Sequence, residues 1–168
     1  MGFKKTSDTI AISFETLETA PGIYTQQEIA LQLDVLNNEI FVVLAVDLDL
    51  SEPEAIAGVD TAVRSAVSST SLTAMGSLAN TNVIATGKDM IRAGGFVDGG
   101  VAFSRAANST VASDVDYIAL IATNNFFVSV QGTGNTAAKA SAGRLWGYRA
   151  RADASTYAAL VQSEVLSA

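Results

Sequence analysis

Histidine and cysteine are both absent from this 168-residue sequence. Their absence excludes disulfide bonds, zinc sites built from Cys or His, His-based catalytic triads and thiol nucleophiles. Charged residues are also scarce, at 16% of the chain, whereas ordinary soluble domains carry roughly 25%. Because the side chains that most often carry catalysis are missing, we expect a protein that is not an enzyme and that binds no cofactor or metal.

Long apolar runs are lacking as well. The longest, residues 40–46, is far shorter than the roughly 20 residues of a membrane-spanning helix, and polar residues 6–9 interrupt any secretion signal that Lys4 and Lys5 could begin. We therefore expect synthesis in a cytoplasm and no membrane insertion. Seventeen acidic residues against ten basic ones give a net charge of −7. A surface of that sign repels phosphate backbones, so we expect no sequence-independent binding of nucleic acid over the whole protein. We also expect no direct, sequence-specific contact with nucleic acid.

The dominant pattern that is present is an alternation of apolar and polar residues, which is typical of half-buried β-strands. Ile10, Ile12 and Phe14 alternate in this way, as do the apolar residues of segment 28–35. Residues 40–46 are apolar at every position, which indicates a strand buried on both faces. Strands at such short spacing predict an all-β fold. We expect one domain over residues 1–168, a single jelly roll or β-sandwich of about eight strands with one or two short helices.

Turn residues between the apolar segments predict three hairpins, since Asn and Asp-Gly tolerate the positive φ of tight reversals. The three turns are centred on Asn37-Asn38, on Asp98-Gly99 and on residues 123–125. A further strand is predicted over residues 144–149, where apolar and aromatic residues alternate with arginine.

Two segments carry helix signals. Ser51 with Glu54 three residues later forms a capping box, which predicts a short helix followed by extended chain through Val63 and Val67. Asp153 can cap a C-terminal helix over residues 154–166. The apolar stripe of that helix consists of Tyr157, Leu160, Val161 and Val165.

Paired carboxylates are the first candidate for chemistry. Asp47 and Asp49 share one face at the end of a predicted strand, and Asp114 and Asp116 form a similar pair. Such pairs supply oxygen ligands of the kind that Ca²⁺ prefers, although the spacing of an EF-hand loop is absent. The alternative is a solvated strand edge next to a helix N-terminus, where acidic side chains are favourable. We favour the solvated strand edge for both pairs.

A second candidate is the late segment in which aromatic residues and arginines interleave. On the predicted strand Arg144, Trp146 and Tyr148 share one face, and Arg149 and Arg151 share the other. Trp, Tyr and Arg are enriched in protein–protein interfaces. Stacking on nucleic-acid bases and ordinary sheet packing with snorkelling arginines are the alternatives. We take these five residues as a candidate interface.

These features together favour a structural function. The leading hypothesis is a self-assembling coat subunit, most concretely a small viral capsid protein with a single jelly roll, which is made in the host cytoplasm and resides in the virion. Its partners are then copies of itself and, in a two-component shell, a second coat protein. One alternative is an extracellular filament or surface-layer subunit, for which the sequon Asn108-Ser109-Thr110 would matter. Another is a carbohydrate-binding β-sandwich.

Overall fold

The structure is a computed structural model, and it describes residues 2–97, 99–105 and 115–167. Within those residues ten β-strands are followed by one α-helix. The elements are β1 (Phe3–Lys5), β2 (Ile10–Leu17), β3 (Thr25–Ala30), β4 (Glu39–Leu50), β5 (Thr61–Ser68), β6 (Val83–Arg92), β7 (Val101–Arg105), β8 (Ala119–Ile121), β9 (Asn125–Thr133), β10 (Ala140–Ala152) and α1 (Ala154–Ser167). A 3₁₀ turn spans Val35–Asn37.

The strands form two antiparallel sheets. Sheet 1 has the order β2-β10-β4-β8, with β1 beside β2 on the same edge of β10. Sheet 2 has the order β3-β9-β5-β6-β7. Apart from the short edge strands β1 and β7, consecutive strands alternate between the sheets everywhere except at β5–β6. Eight strands connected in this way are a jelly roll, and the predicted fold class is confirmed.

The main core lies between the two sheets. Phe14, Phe41 and Leu145 from sheet 1 meet Val67 and Phe126 from sheet 2, all buried in one apolar cluster. The rings of Phe14 and Phe126 pack edge to face, with centroids 6.0 Å apart. The alternation read from the sequence therefore marks the side chains that point into the sandwich.

The first part of β4 is buried on both of its faces, as its continuous apolar run predicted. Phe41 and Val43 point into the core between the sheets, whereas Ile40 and Val42 lie in a second cluster on the outer face of sheet 1. Helix α1 covers that second cluster with Tyr157, Leu160 and Val161. Val165, the fourth residue of the predicted stripe, is 66% exposed, and the neighbouring Glu164 is buried instead. Asp153 caps the helix as predicted, since its Oδ1 accepts the N–H of Thr156 at 2.7 Å.

Two predicted hairpins are wrong. Asn38 has the expected positive φ of 55°, but β3 pairs with β9 and β4 pairs with β10 and β8. The turn near residue 124 also joins different sheets, because β8 pairs with β4 whereas β9 pairs with β3 and β5. Both turns are crossovers between the sheets, and hydrogen bonds join one turn to the other. Asn124 accepts the Leu31 N–H through its backbone carbonyl and the Leu33 N–H through its side chain, at 2.7 and 2.9 Å.

The predicted helix after Ser51 is also wrong, because the chain from there to Asp60 is irregular. The capping residues bind another loop instead. The Glu54 carboxylate accepts hydrogen bonds from the backbone N–H and the hydroxyl of Thr136, and the Ser51 hydroxyl accepts the N–H of Ala140. The extended chain expected at Val63 and Val67 is present as β5.

The third predicted hairpin exists, but its strands differ. Strands β6 and β7 pair in antiparallel fashion, and Phe96 lies in the connection between them instead of in a strand. Asp98, Asp114 and the sequon at residues 108–110 lie outside the described residues.

Candidate functional site

Strand β10 carries all five candidate interface residues, and the structure separates them into four environments. The side chains of β10 alternate between the two faces of sheet 1, as predicted. Leu145 points into the core between the sheets, whereas Tyr148 packs in the cluster on the outer face under α1.

Arg144 and Trp146 lie on the part of the outer face of sheet 1 that α1 leaves uncovered. Together with Asp47 and Asp49 they line an open depression of about 370 Å³. Arg144 is directly opposite Asp47 across the strand pair. The two candidates that the sequence suggested separately are thus one surface.

We call this surface the open face and define it by Glu15, Asp47, Asp49, Arg144 and Trp146. The carboxylates of Glu15 and Asp49 flank Ala142 from the two neighbouring strands, and both side chains are exposed. The open face combines three acidic side chains, one arginine and a half-buried indole.

Tyr148 belongs to the helix-covered half of the same sheet face. It packs against the cluster around Ile40 and Val42, and the ammonium group of Lys5 lies 4.7 Å from the centre of its ring. This geometry is a cation–π contact within the subunit.

Arg149 points to the opposite face of β10 from Tyr148, and it binds the crossover that connects β3 to β4. Its guanidinium donates hydrogen bonds to the carbonyl oxygens of Leu31 and Gln32 at 2.6 and 3.1 Å. It also forms an ion pair with Glu39 at 2.8 Å. All these partners belong to the same chain, so Arg149 stabilises the fold. Arg151 is exposed at the end of the strand, opposite Lys4.

Sequence reasoning missed a second charged surface, on the outer side of sheet 2. Arg64 lies directly opposite Lys88 across β5 and β6, and Lys88 lies opposite Arg105 in register across β6 and β7. Partial desolvation and the nearby guanidinium groups of Arg64 and Arg92 hold the pKa of Lys88 below its ordinary value. Like charges directly opposite each other destabilise a sheet, so this arrangement costs stability.

Exposed apolar side chains adjoin these cations. Met90, Val101 and Phe103 line a shallow depression with Arg92 and Phe96, and Phe103 and Phe96 are 54% and 51% exposed. On the other side, Met75 and Leu78 border Arg64 and Lys88. We call the surface formed by Arg64, Lys88, Met90, Arg92 and Phe103 the basic face. In the sequence, the spacing of Lys88, Met90 and Arg92 at every second position indicates that these three side chains share one face of a strand.

Arg92 is the only cation of the basic face with an ion pair among the described residues, to Asp60 at 3.5 Å. The Asp60 carboxylate also accepts the N–H groups of Ala93 and Gly94, and these hydrogen bonds lower its pKa. Asp60 therefore fixes the start of the β6–β7 connection.

Helix α1 itself carries a buried carboxylate on the side that faces the sheet. Glu164 is 8% exposed, and its Oε1 accepts the N–H of Ala122 at 3.0 Å. Its Oε2 has no hydrogen-bond partner among the described residues. Burial raises the pKa of Glu164. The side chain borders a cavity of about 190 Å³ with Ser69, Asn82 and Leu160.

Among the described residues, no group of three or more acidic side chains is arranged to hold a metal ion. In the same part of the chain, no helix has the length and apolar character needed to cross a membrane.

Comparison with known proteins gives little. No protein-family profile matches the sequence, and neither does any curated protein. Among solved structures the chain is similar to one from Desmodium yellow mottle tymovirus. The two share 14% identity over 86% of this chain and 87% of that chain, with a TM-score of 0.30. A score that low carries no argument, and the function must be inferred from the chain itself.

Proposed function

We propose that this protein is a self-assembling coat subunit, a small viral capsid protein made of a single jelly roll. The observation that carries the proposal is that, in the described part of the chain, the sandwich leaves two separate outer faces uncovered. One combines charged side chains with the half-buried Trp146, and the other combines them with the exposed Phe96 and Phe103. Exposed apolar surface of this kind marks sites of association. Two distinct faces on one subunit are what an extended assembly needs, because each copy must contact more than one neighbour.

Open strand edges add to this support. Among the described residues, strand β7 ends sheet 2 on one side and β3 ends it on the other, and β7 carries the exposed Val101 and Phe103. Uncovered edges with apolar side chains favour pairing with further chains, so natural proteins cover them. In a coat, neighbouring copies supply that cover.

The proposal assigns the chain no catalytic activity and no cofactor. Its partners are copies of itself and, in a two-component shell, a second coat protein, and its place is the virion after synthesis in the host cytoplasm. Net charge −7 argues against sequence-independent binding of nucleic acid over the whole surface, and the proposal assigns no sequence-specific contact with it.

Light scattering and electron microscopy of the purified full chain test this proposal. At rising concentration, in low and high salt, we expect rings or closed particles with masses many times the 17.4 kDa of one chain. A monomer under every condition contradicts the proposal. Open filaments with no closed form support the alternative of an extracellular filament or surface-layer subunit.

A carbohydrate-binding protein is the second candidate, and one observation favours it. Trp146 adjoins the carboxylates of Asp47 and Asp49 in one open depression, where an aromatic ring could stack on a sugar while acidic groups bind its hydroxyls. Titration calorimetry with a panel of oligosaccharides tests it. Binding that Asp47→Asn with Asp49→Asn abolishes supports this candidate, and no binding across the panel contradicts it.

A further inference from the structure

The two uncovered faces carry opposite charge and lie on opposite sides of the sandwich. The open face of sheet 1 presents Glu15, Asp47 and Asp49 around Arg144, and the basic face of sheet 2 presents Arg64, Lys88 and Arg92. Each face also has an apolar component, Trp146 on the first and Phe103 with Met90 on the second. The faces are therefore complementary in both respects.

We propose that the basic face of one copy binds the open face of the next copy, so that the subunits associate head to tail through the outer surfaces of their two sheets. This inference rests on the proposed function, since it names the surfaces through which copies associate. A contact between two different faces closes into a ring when successive copies turn by a suitable angle, and it continues as a filament otherwise.

The repulsion between like charges on the basic face supports this assignment. Arg64 and Lys88 face each other across the strands at the expense of stability, and that expense is offset if acidic groups of a neighbour pair with them. Two copies cannot use this face symmetrically, because cations would then meet cations. The contact must therefore be heterologous.

Charge also favours a second copy over nucleic acid as the occupant. Three of the ten basic residues are on the basic face, which leaves seven against 17 acidic residues for the rest of the chain. The remaining surface of another copy is thus acidic and attracted to this face, whereas a phosphate backbone would be repelled by most of the protein.

Two charge-reversal variants of the full chain test the inference. Arg64→Glu with Lys88→Glu makes the basic face acidic, and Asp47→Lys with Asp49→Lys makes the open face basic. We expect each variant alone to need at least about tenfold more protein than wild type for half-maximal assembly, because like charges then meet at every contact.

The decisive measurement is the assembly of an equimolar mixture of the two variants. Alternating copies restore opposite charges at both kinds of contact, so we expect assembly to return to near the wild-type concentration. Recovery in the mixture also demonstrates that both variants fold. Circular dichroism of each variant alone gives an independent check of folding.

The matched control is Lys4→Glu with Lys5→Glu. These two cations are neighbours on the short edge strand β1 and belong to neither face, and the net charge changes by the same amount as in Arg64→Glu with Lys88→Glu. We expect their reversal to shift the half-maximal concentration by less than about twofold. An equal loss in this control attributes the effect to net charge and overturns the inference.

The remaining outcomes separate the two proposals. If wild type assembles and the reversals act no more than the control does, the inference fails and the proposed function stands. If wild type never assembles, the proposed function fails and the inference with it. Binding of a fluorescent single-stranded oligonucleotide that Arg64→Glu with Lys88→Glu abolishes, with assembly intact, overturns the inference in favour of nucleic acid.

Discussion

The two halves of strand β10 differ in what surrounds them. In the half from Gly147 onward, α1 covers Ala150 and Ala152, Tyr148 packs beneath Lys5, and the guanidinium of Arg149 has three partners within the chain. In the half from Ala142 to Trp146, Leu145 is buried but the outer side chains line an open depression. The same strand thus stabilises the subunit at one end and presents a surface at the other.

The difference teaches that arginine and aromatic residues in one strand do not share one function. Arg149 and Arg144 are five residues apart, yet the first is paired with Glu39 and the second is exposed. Substitutions at the covered half should therefore lower the free energy of unfolding, and substitutions at the open half should leave it nearly unchanged.

Gly147→Ala should have the largest effect on stability. A Cβ at this position would overlap the Val42 carbonyl oxygen and the Phe41 ring, so β4 and β10 could not keep their spacing. We expect the free energy of unfolding to fall by about 3 kcal/mol, measured by urea denaturation. Ala142→Ser in the open half is the control, with a change within about 0.5 kcal/mol. Equal losses in both variants contradict the comparison.

Arg149→Met should have the next largest effect. The variant keeps the apolar stem but removes the hydrogen bonds that Arg149 donates to the Leu31 and Gln32 carbonyls and to the Glu39 carboxylate. Glu39 then keeps the Asp34 N–H as a donor but has lost its counter-ion. We expect a loss of about 2 kcal/mol in the same assay. Adding Glu39→Gln should recover part of that loss, because the unpaired charge is then removed. An unchanged unfolding midpoint would show that the contacts of Arg149 with the crossover do not stabilise the fold.

Glu164→Gln should have a smaller, pH-dependent effect. Burial raises the pKa of Glu164 in the folded state, so the folded protein holds this proton more tightly than the unfolded chain does. The stability that this group contributes is therefore complete below its unfolded pKa and is lost as pH rises through its folded pKa. We expect the variant to gain stability relative to wild type over that rise and then to keep a constant difference.

Urea denaturation from acid to neutral pH measures this dependence, and Glu15→Gln on the open face is the charge-matched control. A difference between Glu164→Gln and wild type that is the same at every pH refutes the burial argument.

Arg144→Ala should have the smallest effect on folding. The side chain is exposed, and an exposed charge contributes less than about 0.5 kcal/mol. Urea denaturation that gives a loss near that of Arg149→Met would contradict the division of β10 into two halves.

Most of the strands and the C-terminal helix could be predicted from the sequence because apolar spacing reports which side of a segment is buried, but β1 and β6 were missed. Residues 40–46 even indicated a cover on both sides of β4, which α1 and sheet 2 provide. Strand partners could not be predicted, because a tight turn reverses the chain in a hairpin and in a crossover alike. Asn38 and Asn124 are examples, and it is the contact of Asn124 with Leu31 and Leu33 that identifies the crossovers.

The candidate site was predictable only in part, for the same reason. Arg144, Trp146, Asp47 and Asp49 were each visible in the sequence, but their meeting depends on the pairing of β4 with β10. The basic face takes its residues from three strands between positions 64 and 103. No local pattern joins positions so far apart.

The central place of β10 in sheet 1 also constrains the order of folding. This strand lies between β4 and the β1/β2 edge, yet it follows every other strand along the chain. During synthesis only the β4–β8 pair of sheet 1 can form before β10 leaves the ribosome, and until then the apolar faces of β2 and β4 have no complete sheet to join. Closure of the sandwich is consequently a late, long-range event, and a nascent chain of this protein must avoid aggregation for nearly its whole translation.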